Sequence, residues 1–440
     1  MVIVESHTML KVWRRVVPLM AIVSFLCALD KANIGFAAME MNAALGFSNT
    51  VFGMGAGSFA FGYLLFAIPS TLLLHWMGAR LWISVIMVAW GCCSAATAFV
   101  TTPEQLILAR TLLGVAEAGF APGTILYFSS WFPSEYRGRV LGSFFMIQPL
   151  VLIIGGPISG ALLSWDALAG LGGLAGWQWM LIIENIPTIL MAPLVFITLT
   201  GRPAQARWLS PQEKEWLEER LSAEQKSIEG SQTGHTVWQT FANGRVWLLA
   251  AVYLGMSTCG IGLKYFLPLI IRSMGFSAWH AGLIITVPAI AGALAIPLWG
   301  LWADHARNRE TIVAVACWLI AVGLLGGAAL LPTPWAIVPI SVTLIGLYGC
   351  LAAFWTLPSS FLTGAGAATG IALISMAGNL AHFTGPSLVG WVTDLSGSYA
   401  AGLACLSALG AGTAVILSTL AIQNGNSLKR GLVAKESTAR

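Results

Sequence analysis

The chain has 440 residues, of which 57% are hydrophobic and only 9% charged, with a formal net charge of +4 and a mean hydropathy of +0.80. Soluble domains are about 25% charged, so a water-soluble fold is excluded and an integral membrane protein with many spans is implied. The small positive balance gives no reason to expect nucleic acid as a partner; the partner in which the chain sits is the lipid bilayer.

A membrane-crossing helix takes about 20 apolar residues. The sequence predicts twelve, at 16–38, 50–74, 81–100, 104–127, 139–163, 178–199, 246–271, 281–302, 311–331, 335–358, 369–392 and 400–422. The first follows Lys11, Arg14 and Arg15 but outruns the apolar core of a signal peptide, so it reads as a retained helix. It carries Asp30 and Lys31, and the fourth span carries Arg110 and Glu117. A charge at the bilayer centre costs roughly 2.5–3.5 kcal/mol on insertion scales. Such residues persist where they face a protein interior or a water-filled cavity and find partners there. Arg110 and Glu117 are two helical turns apart, which places them on one side of their helix about 10 Å apart along its axis. Gly114, between them, predicts a groove on that side. Both signs of charge gathered inside a membrane point to ion-coupled transport.

Residues 201–245 interrupt the apolar pattern. Here Ser210-Pro211-Gln212-Glu213 reads as a helix start, with Ser210 as cap, Pro211 in the first position and Glu213 closing a capping box. Trp216, Leu217 and Leu221 give an apolar stripe, while Glu215, Glu218, Glu219 and Arg220 face water. The expected organisation is a six-helix bundle over 1–200, a cytoplasmic linker with an amphipathic helix over 201–245, a second bundle over 246–422 and a cytoplasmic tail over 423–440.

The halves read as a diverged repeat. The loop from Gly300 to Arg309, with Asp304 and Arg307, corresponds to the loop from His75 to Arg80 in the first half. Asp304, Arg307 and Arg80 are the expected gating charges, since an acid and bases in such a loop can pair with a neighbouring helix end and hold one conformation. Two repeats rocking about a midplane site give alternating access. Eighteen of the 22 Lys and Arg residues fall in segments on the N-terminal side of the membrane, so both termini are expected in the cytoplasm.

The seven cysteines all lie in spans without a C-x-x-C pair, and read as small packing residues. Of six histidines only His382 is well inside a span. Glu184, in the sixth span, reads as structural. With no metal-ligand spacing and no nucleophile beside a base, neither a metal, a cofactor nor enzymatic activity is expected.

Several segments together carry a family resemblance. They are Leu29-Asp30-Lys31-Ala32-Asn33-Ile34-Gly35, Gly78-Ala79-Arg80, Arg110 with Glu117-Ala118-Gly119-Phe120 and Pro122-Gly123, and Trp131-Phe132-Pro133 with Arg137. Further on come Gly176-Trp177-Gln178-Trp179, Arg207-Trp208-Leu209-Ser210-Pro211, Phe354-Trp355 with Pro358, and Gly378-Asn379 with Pro386 and Gly390. As a set, spread over nearly the whole chain, they resemble the major facilitator superfamily and, within it, the anion:cation symporters of organic acids such as sugar acids, tartrate, phthalate and hydroxyphenylacetate.

The resemblance implies an all-α integral membrane fold of twelve transmembrane helices in two pseudo-symmetric six-helix halves. It implies proton-coupled uptake of a small organic acid anion by a monomer in the bacterial inner membrane. Asp30 and Glu117 match the proton carriers, while Arg110, Lys31, Gln148 and Asn379 match substrate-facing positions. Lys264 stands where the family more often has an aromatic or polar residue and is a further candidate contact. Ser359 and Ser360, after Pro358, are candidates for the cavity lining of the second half. Family members commonly have Arg where this chain has Lys31, and a lysine offers a point charge in place of a fork. Export or antiport of an organic anion, sodium-coupled symport and a non-transporting membrane sensor stay open as alternatives.

Overall fold

Lipid offers backbone amides no water to bond with, so a spanning segment must satisfy its hydrogen bonds internally. The computed structural model describes residues 2–230, 237–305, 308–358 and 364–438, and these contain helices and no strand. Eleven helices among the described residues are long and apolar enough to cross a membrane. They are α1 (Glu5–Leu45), α2 (Asn49–Met77), α3 (Ala79–Phe99), α4 (Pro103–Ser129), α5 (Ser134–Leu163) and α6 (Gly176–Thr198) in the first half. After the linker helix α7 (Pro211–Gly230) come α8 (Gly244–Ser273), α9 (Ala278–Ala303), α10 (Arg309–Leu330), α11 (Pro334–Leu351) and, last in the chain, α13 (Tyr399–Gln423). Between them α12 (Gly364–Ser396) occupies the place of the eleventh predicted span. It has the length, but Asn379, His382 and Thr384 dilute its apolar run.

Most helices overrun the spans expected from hydropathy, α1 by about three turns at its start and two at its end, because a helix continues into polar surroundings once it is nucleated. Several are broken inside the apolar stretch. Ser58 interrupts α2, Ala118 and Gly119 interrupt α4, and α5 turns π-helical over Val151–Gly155. Between α2 and α3 the chain reverses at Gly78, whose φ of 78° only glycine adopts without strain.

The helices group into two units. One comprises Met1–Phe47, Met54–Thr233 and Ser277–Leu283; the other comprises Ser48–Gly53, Gly234–Phe276 and Ile284–Arg440. In the first, α1 packs on α6, α2 on α4, and α3 on both α4 and α6. In the second, α8 packs on α13, α9 on α11, and α10 on both α11 and α13. The pairing scheme is the same in both, which is the repeat in structural form.

Glycines let these helices touch backbone to backbone, as is usual in lipid. A Cβ on Gly114 of α4 would lie 2.1 Å from the Phe59 carbonyl oxygen of α2, and one on Gly62 of α2 would lie 1.9 Å from the Thr111 carbonyl oxygen of α4. The groove expected at Gly114 is therefore filled by the α2 backbone, which corrects the reading of that residue as an opening.

The linker helix is built into the first unit. Its start is a formed capping box: Ser210 N–H donates to Glu213 Oε2 at 2.8 Å and Glu213 N–H to Ser210 Oγ at 3.3 Å. Leu217 is fully buried, and Trp216 and Leu221 pack on the same apolar cluster, which holds Trp131, Phe132 and Val140. Lys11 of α1 donates to both Glu213 oxygens at 2.8 and 3.1 Å, and His7 lies 3.1 Å from Oε1. Burial pushes the Glu213 carboxyl up, but Lys11, the Ser210 N–H and His7 outweigh it and hold it down to about 2. Arg137 pairs with Glu224 at 2.7 Å, and Arg220 pairs with Glu135.

Within the second unit, Asp394 near the end of α12 caps the start of α2. Its Oδ1 accepts from Asn49 N–H at 3.1 Å and Asn49 Nδ2 at 2.9 Å, and its Oδ2 from Thr50 N–H at 2.7 Å and Thr50 Oγ1 at 2.6 Å. A carboxylate suits the positive end of a helix dipole.

Candidate functional site

The site is built on three helices of the first unit. One turn of α1 carries Cys27, Asp30 and Lys31. Cys27 and Lys31, four residues apart, share a face and meet the last residue before the break in α4, Glu117. Lys31 Nζ lies 2.5 Å from Glu117 Oε2, and the Cys27 thiol donates to the same oxygen at 3.2 Å. Lys31 also donates to Cys27 Sγ at 3.2 Å and lies over the Phe59 ring, 5.4 Å from its centroid. Glu117 is 0% exposed, whereas the Lys31 side chain keeps 22% of its surface; the ion pair thus has one open edge. At the break behind Glu117 the chain packs closely on α2: a Cβ on Gly119 would lie 1.9 Å from Ser70 Oγ.

Asp30 points the other way. It is 2% exposed and accepts a hydrogen bond from Ser94 Oγ of α3. Ser94 in turn accepts from Asn185 Nδ2 of α6 at 3.0 Å. Arg110 of α4 is 0% exposed, and its charge acts on Asp30. Arg110 Nε and Nη2, Asp30 Oδ2 and Glu117 Oε1 are all buried without a hydrogen-bond partner among the described residues. Two acids and two bases therefore balance in charge while four of their polar atoms lack partners. Buried ions persist only with compensation, and a guanidinium with open donors is suited to grip a carboxylate by paired hydrogen bonds.

The other expected site residues lie on other helices. Gln148 of α5 is exposed, and Lys264 of α8 and Asn379 of α12, both half-buried, belong to the second unit. Ser359, Ser360 and Arg307 lie outside the described residues, as does the side chain of Asp304. Arg80 is exposed; its Nε donates to the Phe196 carbonyl oxygen, and its guanidinium sits 4.5 Å from the Phe196 ring centroid. It ties the start of α3 to the end of α6.

Three participants escaped the sequence reading. Cys27 was grouped with the packing cysteines, although its spacing from Lys31 was a usable signal. Asn185 is an amide deep in a span, which is another. Nothing in the sequence marks Ser94.

Residues 20–386 match the Major Facilitator Superfamily. A provisionally named tartrate transporter of Agrobacterium vitis is 42% identical over 399 residues, covering 91% of this chain and 88% of its own. A protein of Acinetobacter baumannii named quinolone resistance transporter is 36% identical over 411 residues, covering 92% of each chain. Among solved structures, a D-xylose-proton symporter superposes with a TM-score of 0.71 at 15% identity, over 92% of this chain and 96% of its own. At that identity the likeness shows the fold alone. By sequence match and by fold, this chain belongs to the Major Facilitator Superfamily and is a multi-pass membrane transporter, not an enzyme.

Proposed function

We propose that the chain couples proton entry to uptake of a small organic carboxylate by alternating access. The observation that carries this reading is the balanced cluster of buried Asp30, Arg110 and Glu117 with the partly exposed Lys31 in the first unit, with donors still open on Arg110. In the proposed cycle, protons bind to Glu117 and Asp30. A neutral Glu117 no longer holds Lys31 at 2.5 Å, and a neutral Asp30 no longer balances Arg110. The two cations then present net positive charge to an anion, with Arg110 as the fork and Lys31 as the point charge. A bound monocarboxylate halves that excess charge and a dicarboxylate cancels it, which lowers the electrostatic penalty on closing the site. Release on the other side follows when the acids lose their protons.

In this reading Gln148, Asn379, Lys264, Ser359 and Ser360 contribute to the substrate cavity, and Arg80, Asp304 and Arg307 to gating. Both termini face the cytoplasm and the membrane is the bacterial inner one, in keeping with bacterial relatives and with the distribution of Lys and Arg. The relative named for tartrate supports a carboxylate substrate. Export is the second reading, favoured by the relative named for quinolone resistance.

The test is uptake of radiolabelled tartrate and other small acids into proteoliposomes under an imposed pH gradient, inside alkaline, with sodium absent. Accumulation that collapses with a protonophore is the expected result. Uptake of no acid, or uptake driven by a sodium gradient at equal pH, overturns the proposal. Reversing the gradient separates import from export.

A further inference from the structure

Glu184 of α6 is a third buried carboxylate in the first unit, 6% exposed. Its Oε1 accepts from Ser159 Oγ of α5 at 2.6 Å, while Oε2 is buried with no hydrogen-bond partner. No ion pair reaches it among the described residues. An ionised carboxylate in apolar surroundings without a cation is strongly disfavoured, so geometry argues for the neutral acid. The acid has an O–H to place. Beside it stands Asn33 of α1, whose Oδ1 and Nδ2 are both buried and without partners. An O–H on Oε2 turned to Asn33 Oδ1 would satisfy both groups.

Two features join this acid to the charged cluster. Asn33 is one helical turn beyond Asp30 on α1. Asn185, the next residue after Glu184, donates to Ser94, and Ser94 donates to Asp30. The charged and titratable groups that act on this network through Asp30 are Glu117 and Arg110 of α4, Lys31 of α1 and Cys93 of α3; Ser94 and Ser159 are its neutral members.

We propose that Glu184 is a third proton-binding site of the transport cycle, linked to Asp30 through Asn33 and through the Asn185–Ser94 pair. The link runs through hydrogen-bond direction. While Asp30 is ionised, Ser94 gives it its only proton and must draw a donor from Asn185. When Asp30 takes a proton, that demand ends and Ser94 turns; with the negative charge one turn along α1 gone, Glu184 gives up its proton more readily. The two acids load in opposition, so one proton is held on the network in both stages. This rests on the proton-coupled reading above.

The experiment reads protonation directly and needs no transport. Infrared difference spectra between pH steps are recorded for the purified protein, Glu184→Gln, Asp30→Asn and the double variant, each first shown to melt as cooperatively as the parent. Glu184→Gln is expected to lose one protonated-carboxyl band, and Asp30→Asn to move the pH at which that band titrates by about a unit or more, a tenfold change in proton affinity. A spectrum unchanged by Glu184→Gln overturns the proposal. So does a Glu184 band whose titration ignores Asp30→Asn, since the acid is then isolated. If the bands behave as stated but no acid is carried in proteoliposomes, the transport reading fails and the proton site stands.

Discussion

Lys31 and Glu117 form an ion pair at 2.5 Å in which the acid is wholly buried and the base keeps an open edge. The pair is asymmetric: its open edge lies on the lysine, and in the proposed cycle protonation of the acid frees the lysine for the anion. Glu117→Gln keeps the shape and removes the charge. Uphill accumulation of tartrate under a pH gradient should vanish in this variant, while exchange of internal for external tartrate persists. Counterflow and gradient-driven assays on the same vesicles check both halves of the statement.

Arg110 tests the fork. Arg110→Lys preserves the charge but not the paired donors. Tartrate binding should weaken by about tenfold, or about 1.4 kcal/mol, with the pH profile of binding little changed. Isothermal titration on purified protein reads this directly. Equal affinity in the lysine variant would show that Arg110 acts only as a charge.

The contact between α2 and α4 leaves no space for a side chain. Gly114→Ala drives a Cβ to 2.1 Å from a carbonyl oxygen, and overpacking of this kind costs about 1–3 kcal/mol. The melting temperature should fall and the Lys31–Glu117 geometry should loosen with it, because Phe59, under the lysine, belongs to the same turn of α2. Thermal unfolding followed by intrinsic fluorescence measures the first effect.

Acid should release the linker helix. The carboxyl of Glu213 is held down to about 2, below its unfolded value of about 4.3. A depressed carboxyl contributes stability above the unfolded value and loses it as the pH falls toward the folded one. Attachment of α7 should therefore be pH-independent near neutrality and weaken progressively below about pH 4. Proteolysis by an acid-active protease should then cut within α7, and Glu213→Gln, neutral at every pH, should loosen α7 already near neutrality and remove this acid dependence.

The cap on α2 gives a local prediction. Asp394→Asn removes the charge opposite the helix dipole and at least two of the four hydrogen bonds. Amide hydrogen exchange at Asn49–Phe52 should accelerate, with other helix starts unaffected.

The charges and the repeat were legible in the sequence because lipid makes polar residues conspicuous. Asp30, Lys31, Arg110 and Glu117 stand out against an apolar background, and the spacing of Arg110 and Glu117 was enough to put both on one buried face. The capping box at Ser210 was legible because it depends only on residues three apart. What the sequence withheld is partnership across helices. Nothing in a linear string shows that Lys31 reaches Glu117, that Ser94 serves Asp30, or that Glu184 shares a network with both. Gly114 was misread for the same reason, since whether a missing side chain is a groove or a contact depends on which backbone lies opposite. Asp394 drew no notice because an acid at a helix end is ordinary until its partner is known.

The way α7 is fastened has a practical corollary. Through Lys11, Arg137, Leu217 and the stacked Trp131 and Trp208 rings, this stretch is cargo of the leading bundle and not a tether strung between two bodies. A dye attached to the exposed Glu218 should thus report on the leading bundle alone.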